Sequence, residues 1–414
     1  MKDINPSFNN SKILLYFPFK GIGGVSRVFL NIQKLFKNEN IKLVDFEDGY
    51  MAKNTNDLQS LINIKTVKNY PNNAVVLFQS FLMWNLKDFK KFPEEAKLIF
   101  WNLHPLNLYP YLVSDHGSKI KKVAHKLFSP LSFLRRKKVK DLVKYLIDKR
   151  SIFFMDYENK TQTENFIGHS IPNDLYLPLF VKTNFPIRKI ASSKELLKLG
   201  YFGRLVDFKV YPLLEIIKRI DKFNKKFEFH IIGEGDSKHH LFELQKQLLN
   251  VELIFHTEVD LETQDQLLFD IDLFFAMGHS LLEIAARSIP VIAMNFSYHP
   301  LERLTKYDWA YKIENYNLAE EIKETKHIES KCSLEKMFIE LESEYEYHSN
   351  KTYEWVDQNF SEEFFKVKFE KIVSNAQATF GDIKKSKLNK VDIISFIFKG
   401  LRNKKQSKSY FKQF

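Results

Sequence analysis

Cysteine is nearly absent from this chain. Cys332 stands alone among 414 residues, so no disulfide can form within the chain and a cysteine-rich zinc site is excluded. A reducing, cytoplasmic setting fits that usage. Glycine and proline are scarce at 13 each, which excludes collagen-like and low-complexity architectures. No run of about 18 apolar residues occurs, so no bilayer-spanning helix is expected and any membrane contact should be peripheral. The short apolar run Ile13-Leu14-Leu15-Tyr16-Phe17 follows a polar, Asn-rich start and leads into Gly-Ile-Gly-Gly rather than a small-residue cleavage site. It reads as a first strand, not a leader. No short-period repeat is found.

What is present is core material: 44% hydrophobic and 15% aromatic residues, enough for two or three globular domains at this length. The formal charge is +12, which points to an anionic partner: nucleic acid, a phosphorylated substrate or a membrane face. The charge is local. Twelve Lys/Arg against two Asp give residues 119–150 a charge of +10, and ten against one give residues 384–414 +9, leaving −7 on the other 351 residues. No nucleic-acid recognition motif accompanies the excess, so a nucleic-acid partner is disfavoured.

Short apolar runs alternate with amphipathic segments in two successive series. The first has candidate strands at 12–17, 41–45, 74–79, 97–102 and 151–155, with a helix over 25–36. The second has strands at 198–202, 228–232, 251–255, 273–276 and 290–294, with helices over 211–223, 237–249 and 281–286. That rhythm predicts two parallel α/β domains, one over 1–185 and one over 186–365, followed by a C-terminal helix and basic tail over 366–414. Ligands in such sheets bind at the carboxyl ends of strands, where helix N-termini offer N–H donors.

Four segments could carry chemistry. After the first strand, Gly21-Ile22-Gly23-Gly24-Val25-Ser26-Arg27 opens a helix, a fit for an anion or simply a tight turn. It departs from the dinucleotide fingerprint, since Ser26 takes the third glycine position, although the second strand does end in Asp45 with Glu47 close by. In the second series, Gly203-Arg204-Leu205 brings an arginine to the sheet edge five residues ahead of Lys209; a planar fork and a point charge together suit a diphosphate. Ile232-Gly233-Glu234-Gly235 is a strand with a two-glycine turn. Gly278-His279-Ser280-Leu281-Leu282-Glu283 places a carboxylate near a helix start, where it could accept from ribose hydroxyls or simply face the helix dipole.

In this order the segments resemble the two-domain GT-B glycosyltransferases of glycosyltransferase family 4 (glycosyl transferases group 1), over residues 12 to about 376. The resemblance implies an α/β fold of two Rossmann-like domains facing each other across a cleft. It also implies retention of anomeric configuration, a nucleotide-sugar donor, and no cofactor or metal. It assigns donor binding to Gly23, Gly24, Arg204, Lys209, Gly233, Gly278, His279, Ser280 and Glu283. His104, in Leu103-His104-Pro105 beyond a first-domain strand, is the catalytic candidate, contacting the donor sugar or leaving phosphate. There are departures. Phe275 stands where members commonly carry a second glutamate, Val210 replaces a usual glycine, and His256 stands where the strand often ends in glycine. An Asp-x-Asp metal pair is matched by letter at Asp270-Ile271-Asp272, but it introduces a strand, the end opposite the ligand edge.

The basic stretches read as amphipathic helices. Leu131, Leu134, Leu142 and Leu146 alternate with Arg135, Arg136, Lys137 and Lys138, while Leu388, Val391, Ile394, Phe398 and Leu401 are flanked by Lys387, Lys390, Lys399 and Arg402. Such faces suit the anionic inner leaflet of the cytoplasmic membrane. The expectation is a cytoplasmic, peripheral enzyme working on a lipid-linked or saccharide acceptor in bacterial surface polysaccharide synthesis (capsule, O-antigen or lipopolysaccharide). The alternatives are a nucleotide-sugar epimerase of the same fold and a non-catalytic membrane-associated scaffold.

Overall fold

The computed structural model describes residues 12–21, 24–36, 40–79, 89–104, 108, 133–183, 185, 197–256, 261–301, 307–322 and 333–386. The chain divides into two compact units, Met1–Leu177 with Lys366–Phe414, and Pro178–Phe365.

In the first unit the chain runs through β1 (Lys12–Tyr16), α1 (Gly24–Leu35), β2 (Ile41–Asp45), α2 (Tyr50–Asn54), β3 (Leu61–Asn63) and β4 (Ala74–Gln79). It continues through β5 (Lys97–Asn102), α3 (Phe133–Asp148), β6 (Ile152–Phe154) and α4 (Tyr157–Ile167). The strands form one parallel sheet ordered β3-β2-β1-β4-β5-β6. Residues 13–16 and 74–79 are buried throughout, as strands covered on both faces must be.

The second unit contains β7 (Lys198–Phe202), α5 (Asp207–Ile220), β8 (Phe227–Ile232), α6 (Lys238–Gln245), β9 (Val251–His256) and α7 (Leu261–Asp270). Then follow β10 (Leu273–Ala276), α8 (His279–Ala285), β11 (Val291–Ala293), β12 (Asp308–Trp309) and α9 (Leu334–Phe360). The sheet order is β12-β11-β10-β7-β8-β9, parallel except for the antiparallel β11–β12 pair. Counted from its own first strand, each sheet has the order 3-2-1-4-5-6 of a doubly wound, Rossmann-like unit. The order reverses between β1 and β4 in one and between β7 and β10 in the other, the points at which sheets of this kind bind ligands.

The chain then returns to the first unit. Along α10 (Glu362–Asn375) and into α11 (Phe380–Ser386), the Leu98 amide donates to the Ala378 carbonyl at 3.0 Å and the Phe380 amide to the Ala96 carbonyl at 3.0 Å. The Phe380 ring stacks on Phe92 at 4.3 Å, which stacks on Tyr70 at 4.1 Å. Tyr145 of α3 donates to Asp382 at 2.8 Å. Residues 366–386 are therefore part of the first unit, where the sequence pattern had them as a separate terminal segment.

Asp45 holds the ligand edge of this unit in shape. Its buried carboxylate accepts from the amides of Phe19 (2.9 Å), Phe46 (2.8 Å), Met51 (2.9 Å) and Ala52 (3.3 Å). The segment after β1 is thereby tied to the first turn of α2. Burial pushes the Asp45 carboxyl up to about 6, against the pull of the four amides. The acid at the end of β2 is thus occupied by backbone and is not a free ribose ligand. Asp45→Ala would strip four amides of their acceptor and is expected to lower unfolding free energy by about 2–4 kcal/mol in urea titrations, with Asp45→Asn losing less.

Candidate functional site

The crevice of the second unit lies between β7 and β10, so the segments after Phe202 and Ala276 border it. These carry Gly203-Arg204 and Gly278-His279-Ser280, and they touch: a Cβ built on Gly203 would lie 3.5 Å from Ser280 Oγ. The structure thus brings together two motifs that are more than seventy residues apart in sequence.

The Arg204 segment is held from behind. Tyr201 Oη donates to the Arg204 carbonyl at 3.1 Å. The Gly203 amide donates to the Ile232 carbonyl (3.0 Å), that of Leu205 to Glu234 (2.9 Å) and that of Ser237 to Leu205 (3.1 Å), while the Ser237 hydroxyl bonds Asp207. Gly233 has φ +146°, and a Cβ there would fall 2.0 Å from the Gly203 carbonyl oxygen. The Gly-Glu-Gly turn therefore serves a backbone-on-backbone contact that shapes residues 203–205.

Helix α5 begins at Asp207, four residues ahead of the sequence expectation, which makes Lys209 its third residue. Its N-cap position, Val206, supplies no side-chain cap, so the helix end keeps its positive character. Arg204 is exposed and Lys209 half-buried. Burial, and after it the charge of Arg204, push the Lys209 ammonium down to about 8. Two cations held against their mutual repulsion are what an anion site requires. Pro212, inside α5, has no N–H for the Phe208 carbonyl four residues back, and the Ser297 amide takes that carbonyl at 2.9 Å. The chain after β11 is thereby fixed to the first turn of α5, with Phe208 5.8 Å from Tyr298 and 6.0 Å from Phe296, ring to ring.

Across the crevice, Gly278 precedes α8 with φ +64°, and its amide donates to the Leu318 carbonyl at 3.0 Å. The Ser280 hydroxyl donates to the Met277 carbonyl at 3.0 Å. His279 Nε2 lies 3.8 Å from Glu283 Oε1, and its buried Nδ1 has no hydrogen-bond partner. Glu283 is half-buried. Arg287 Nη1 donates to the Glu283 carbonyl at 2.6 Å and Arg287 Nε to Asp265 at 3.1 Å, while the guanidinium lies 4.1 Å over the Phe185 ring. Sequence reasoning missed Tyr201, Pro212, Ser297 and Arg287; only Pro212, a proline within a helical pattern, carries a local signal.

The departures have physical accounts. Phe275 is fully buried in β10, stacked on Phe229 at 5.9 Å, so a side chain at that position faces the core. Only Met277 and Gly278 connect β10 to α8, which leaves no loop to carry a second carboxylate. Val210 is core. His256 Nε2 meets His230 Nδ1 at 2.9 Å in a stacked pair. Asp272, at the amino end of β10, accepts from the Lys198 amide at 3.0 Å, away from the ligand edge. Among the described residues no group of three or more His, Cys, Asp and Glu could hold a metal.

In the first unit, Gly24 is the exposed first residue of α1, and His104 is exposed two residues beyond β5. Gly23, Lys387, Lys390, Lys399 and Arg402 lie outside the described residues, as do the side chains of Arg135, Arg136 and Lys138 in α3. Lys137 is exposed. Leu142 and Leu146, expected as part of a lipid-facing stripe, are buried with Val139 and Val143 in the core, because α3 must cover the sheet. No helix among the described residues is long and apolar enough to cross a membrane.

Residues 184–340 match the family model described as Glycosyl transferases group 1, so the second unit carries a glycosyltransferase domain. No curated protein matches the chain. Among solved structures the chain is similar to the lipopolysaccharide outer core galactosyltransferase WaaB in its apo form, with a TM-score of 0.51, 13% identity, and coverage of 89% of this chain and 100% of that one. It is equally similar to a glycosyltransferase from Rickettsia africae ESF-5, with a TM-score of 0.51, 13% identity and coverage of 89% and 100%. These likenesses establish the GT-B fold. Gly233→Ala would drive a methyl into the Gly203 carbonyl at a backbone angle side chains avoid; a loss of about 3 kcal/mol in unfolding free energy is expected by chemical denaturation.

Proposed function

We propose that this glycosyltransferase is a retaining, metal-independent enzyme of glycosyltransferase family 4. It moves a sugar from a nucleoside diphosphate donor to a saccharide acceptor, lipid-linked, in the assembly of a bacterial surface polysaccharide. The observation that carries the reading is the placement of Arg204 and Lys209 at the order-reversal point of the second sheet, beside the uncapped N-terminus of α5. As the bond to the sugar breaks, negative charge builds on the departing diphosphate. A guanidinium fork, an ammonium and a helix N-terminus already in place stabilise that charge without reorganising. Glu283 accepts from the ribose hydroxyls, and His279 and Ser280 meet the donor from the other side of the crevice. Gly24, at the start of α1, and Gly23 are the donor-binding candidates of the first unit, and His104 is the candidate for contact with the donor sugar or leaving phosphate. Likeness to a lipopolysaccharide galactosyltransferase supports the choice of acceptor class.

The enzyme docks on the inner face of the cytoplasmic membrane through Arg135, Arg136, Lys137 and Lys138 and through the basic tail. Since Val139, Leu142, Val143 and Leu146 of α3 are buried, that contact is electrostatic, and it should weaken with salt. Neutralising those four residues and deleting 384–414 is expected to abolish flotation with anionic liposomes; unchanged flotation would remove the docking idea.

Nucleotide binding tests the central reading. UDP or GDP should raise the melting temperature by several degrees, and Arg204→Ala or Lys209→Ala should each weaken binding about 10- to 100-fold, the scale of one charged hydrogen bond. No shift with either nucleotide, together with unaffected variants, would refute it. The pH dependence has a fixed sign. Lys209 is charged below about 8 and must take up a proton to bind an anion above it, so affinity falls by up to about tenfold per pH unit above that value. Lys209→Arg should flatten the profile.

A further inference from the structure

Among the described residues of the first unit, the buried side-chain atoms without a hydrogen-bond partner include Ser26 Oγ, Gln79 Oε1, Asn159 Oδ1 and Thr161 Oγ1; the first two share one layer at the sheet edge, and the reaction described above uses neither. Ser26 is fully buried and Gln79 is 6% exposed. Buried polar groups are almost always matched, and an unmatched one lowers stability, so two in one layer call for an explanation.

Strand register places them in that layer. Tyr16 pairs with Phe78, so the residues that follow, Phe17 and Gln79, fall on the opposite face of the sheet. Phe17 meets Phe29 of α1 at 6.1 Å, ring to ring, which makes that the face α1 covers. Ser26 heads the stripe of Ser26, Phe29, Leu30 and Gln33 that α1 buries. It is the third residue of α1, and Gln79 is the last of β4. Both therefore sit at the carboxyl edge of β1 and β4, where the strand order reverses, under a helix N-terminus whose first turn holds no acidic residue. Among the described residues, a Cβ on Gly24 would meet nothing within 4 Å.

We propose that this seam is a subsite for a saccharide hydroxyl, which donates to Gln79 Oε1 and accepts from Ser26 Oγ–H at the positive end of α1. A hydroxyl both donates and accepts, which is what an unmatched amide oxygen beside a serine and a helix N-terminus asks for. A phosphate only accepts and would leave Gln79 Oε1 unmatched. The hydroxyl belongs to the donor's sugar or to the acceptor's, and the contacts are the same for either. The inference rests on the glycosyltransferase reading for the class of ligand alone.

The test uses the full chain with Ser26→Ala and Gln79→Met. Ligand-observed NMR with methyl glycosides of glucose, galactose, mannose and N-acetylglucosamine probes the acceptor source. Calorimetry of UDP-glucose, UDP-galactose and GDP-mannose against UDP and GDP probes the donor source. Sugar-dependent binding is expected in at least one arm. Each variant should weaken it tenfold or more, leave UDP and GDP affinity within twofold, and melt at or above wild type because an unmatched polar group is gone. Sugar-dependent binding in neither arm overturns the proposal, as does its persistence unchanged in both variants. Lower melting of both variants also overturns it, since it marks a structural bridge between the two groups. Failure of UDP and GDP to bind refutes the Arg204–Lys209 reading, while the glycoside arm still decides the seam.

Discussion

One backbone contact shapes the second unit's ligand edge. At Gly233 the chain comes so close to the Gly203 carbonyl that no side chain fits between them, and the segments after β7 and β8 lie backbone on backbone. Arg204 directly follows that contact in the chain, and α5 starts three residues later with Lys209 in its first turn. The Tyr201 hydroxyl, the Ser237 amide and the Ser237 hydroxyl add side-chain and backbone ties to the same short stretch. The cations thus stand on a fixed base, which is what the proposed diphosphate site would need in order to act without reorganising.

The electrostatics follow from that rigidity. Lys209 is kept partly out of water and next to another cation, both of which disfavour its charge. A flexible loop would let the two cations separate; here Pro212 and Ser297 pin the helix start and the chain after β11 to each other. The tension is therefore retained in the free protein and relieved by an anion. The many other basic residues have no such constraint. Lys137 is exposed, and the exposed ion pair of Lys246 with Glu243 at 2.8 Å contributes little to stability.

Much of this was legible in the sequence, and the reasons are specific. Strands such as 41–45, 74–79, 97–102, 198–202 and 273–276 are apolar runs bounded by turn residues, and they occur where the pattern puts them. The Gly203–Lys209 and Gly278–Glu283 motifs could be found because parallel α/β topology sends strand ends to one edge. What could not be read depends on long-range contact. The two- and three-residue strands β12 and β3 are defined by their neighbours, not by their own composition. The early start of α5 is hidden by the β-branched Val210 and by Pro212 within its pattern. The burial of Leu142 and Leu146 could not be told from a lipid-facing stripe, since both show the same period. The role of Gly233 as a spacer is a matter of what lies opposite it.

The return of residues 366–386 to the first unit bears on how the protein is made. The backbone of β5 is bonded to residues near position 378, and Phe380 completes the stack on Phe92 and Tyr70. As the chain leaves the ribosome, the rest of the first unit lacks this segment until the whole second unit has been made. The second unit is continuous and has no such wait, so it can complete its fold first although it is translated second. Until then Phe92 lacks the ring that Phe380 lays on it, and a chaperone would meet it there.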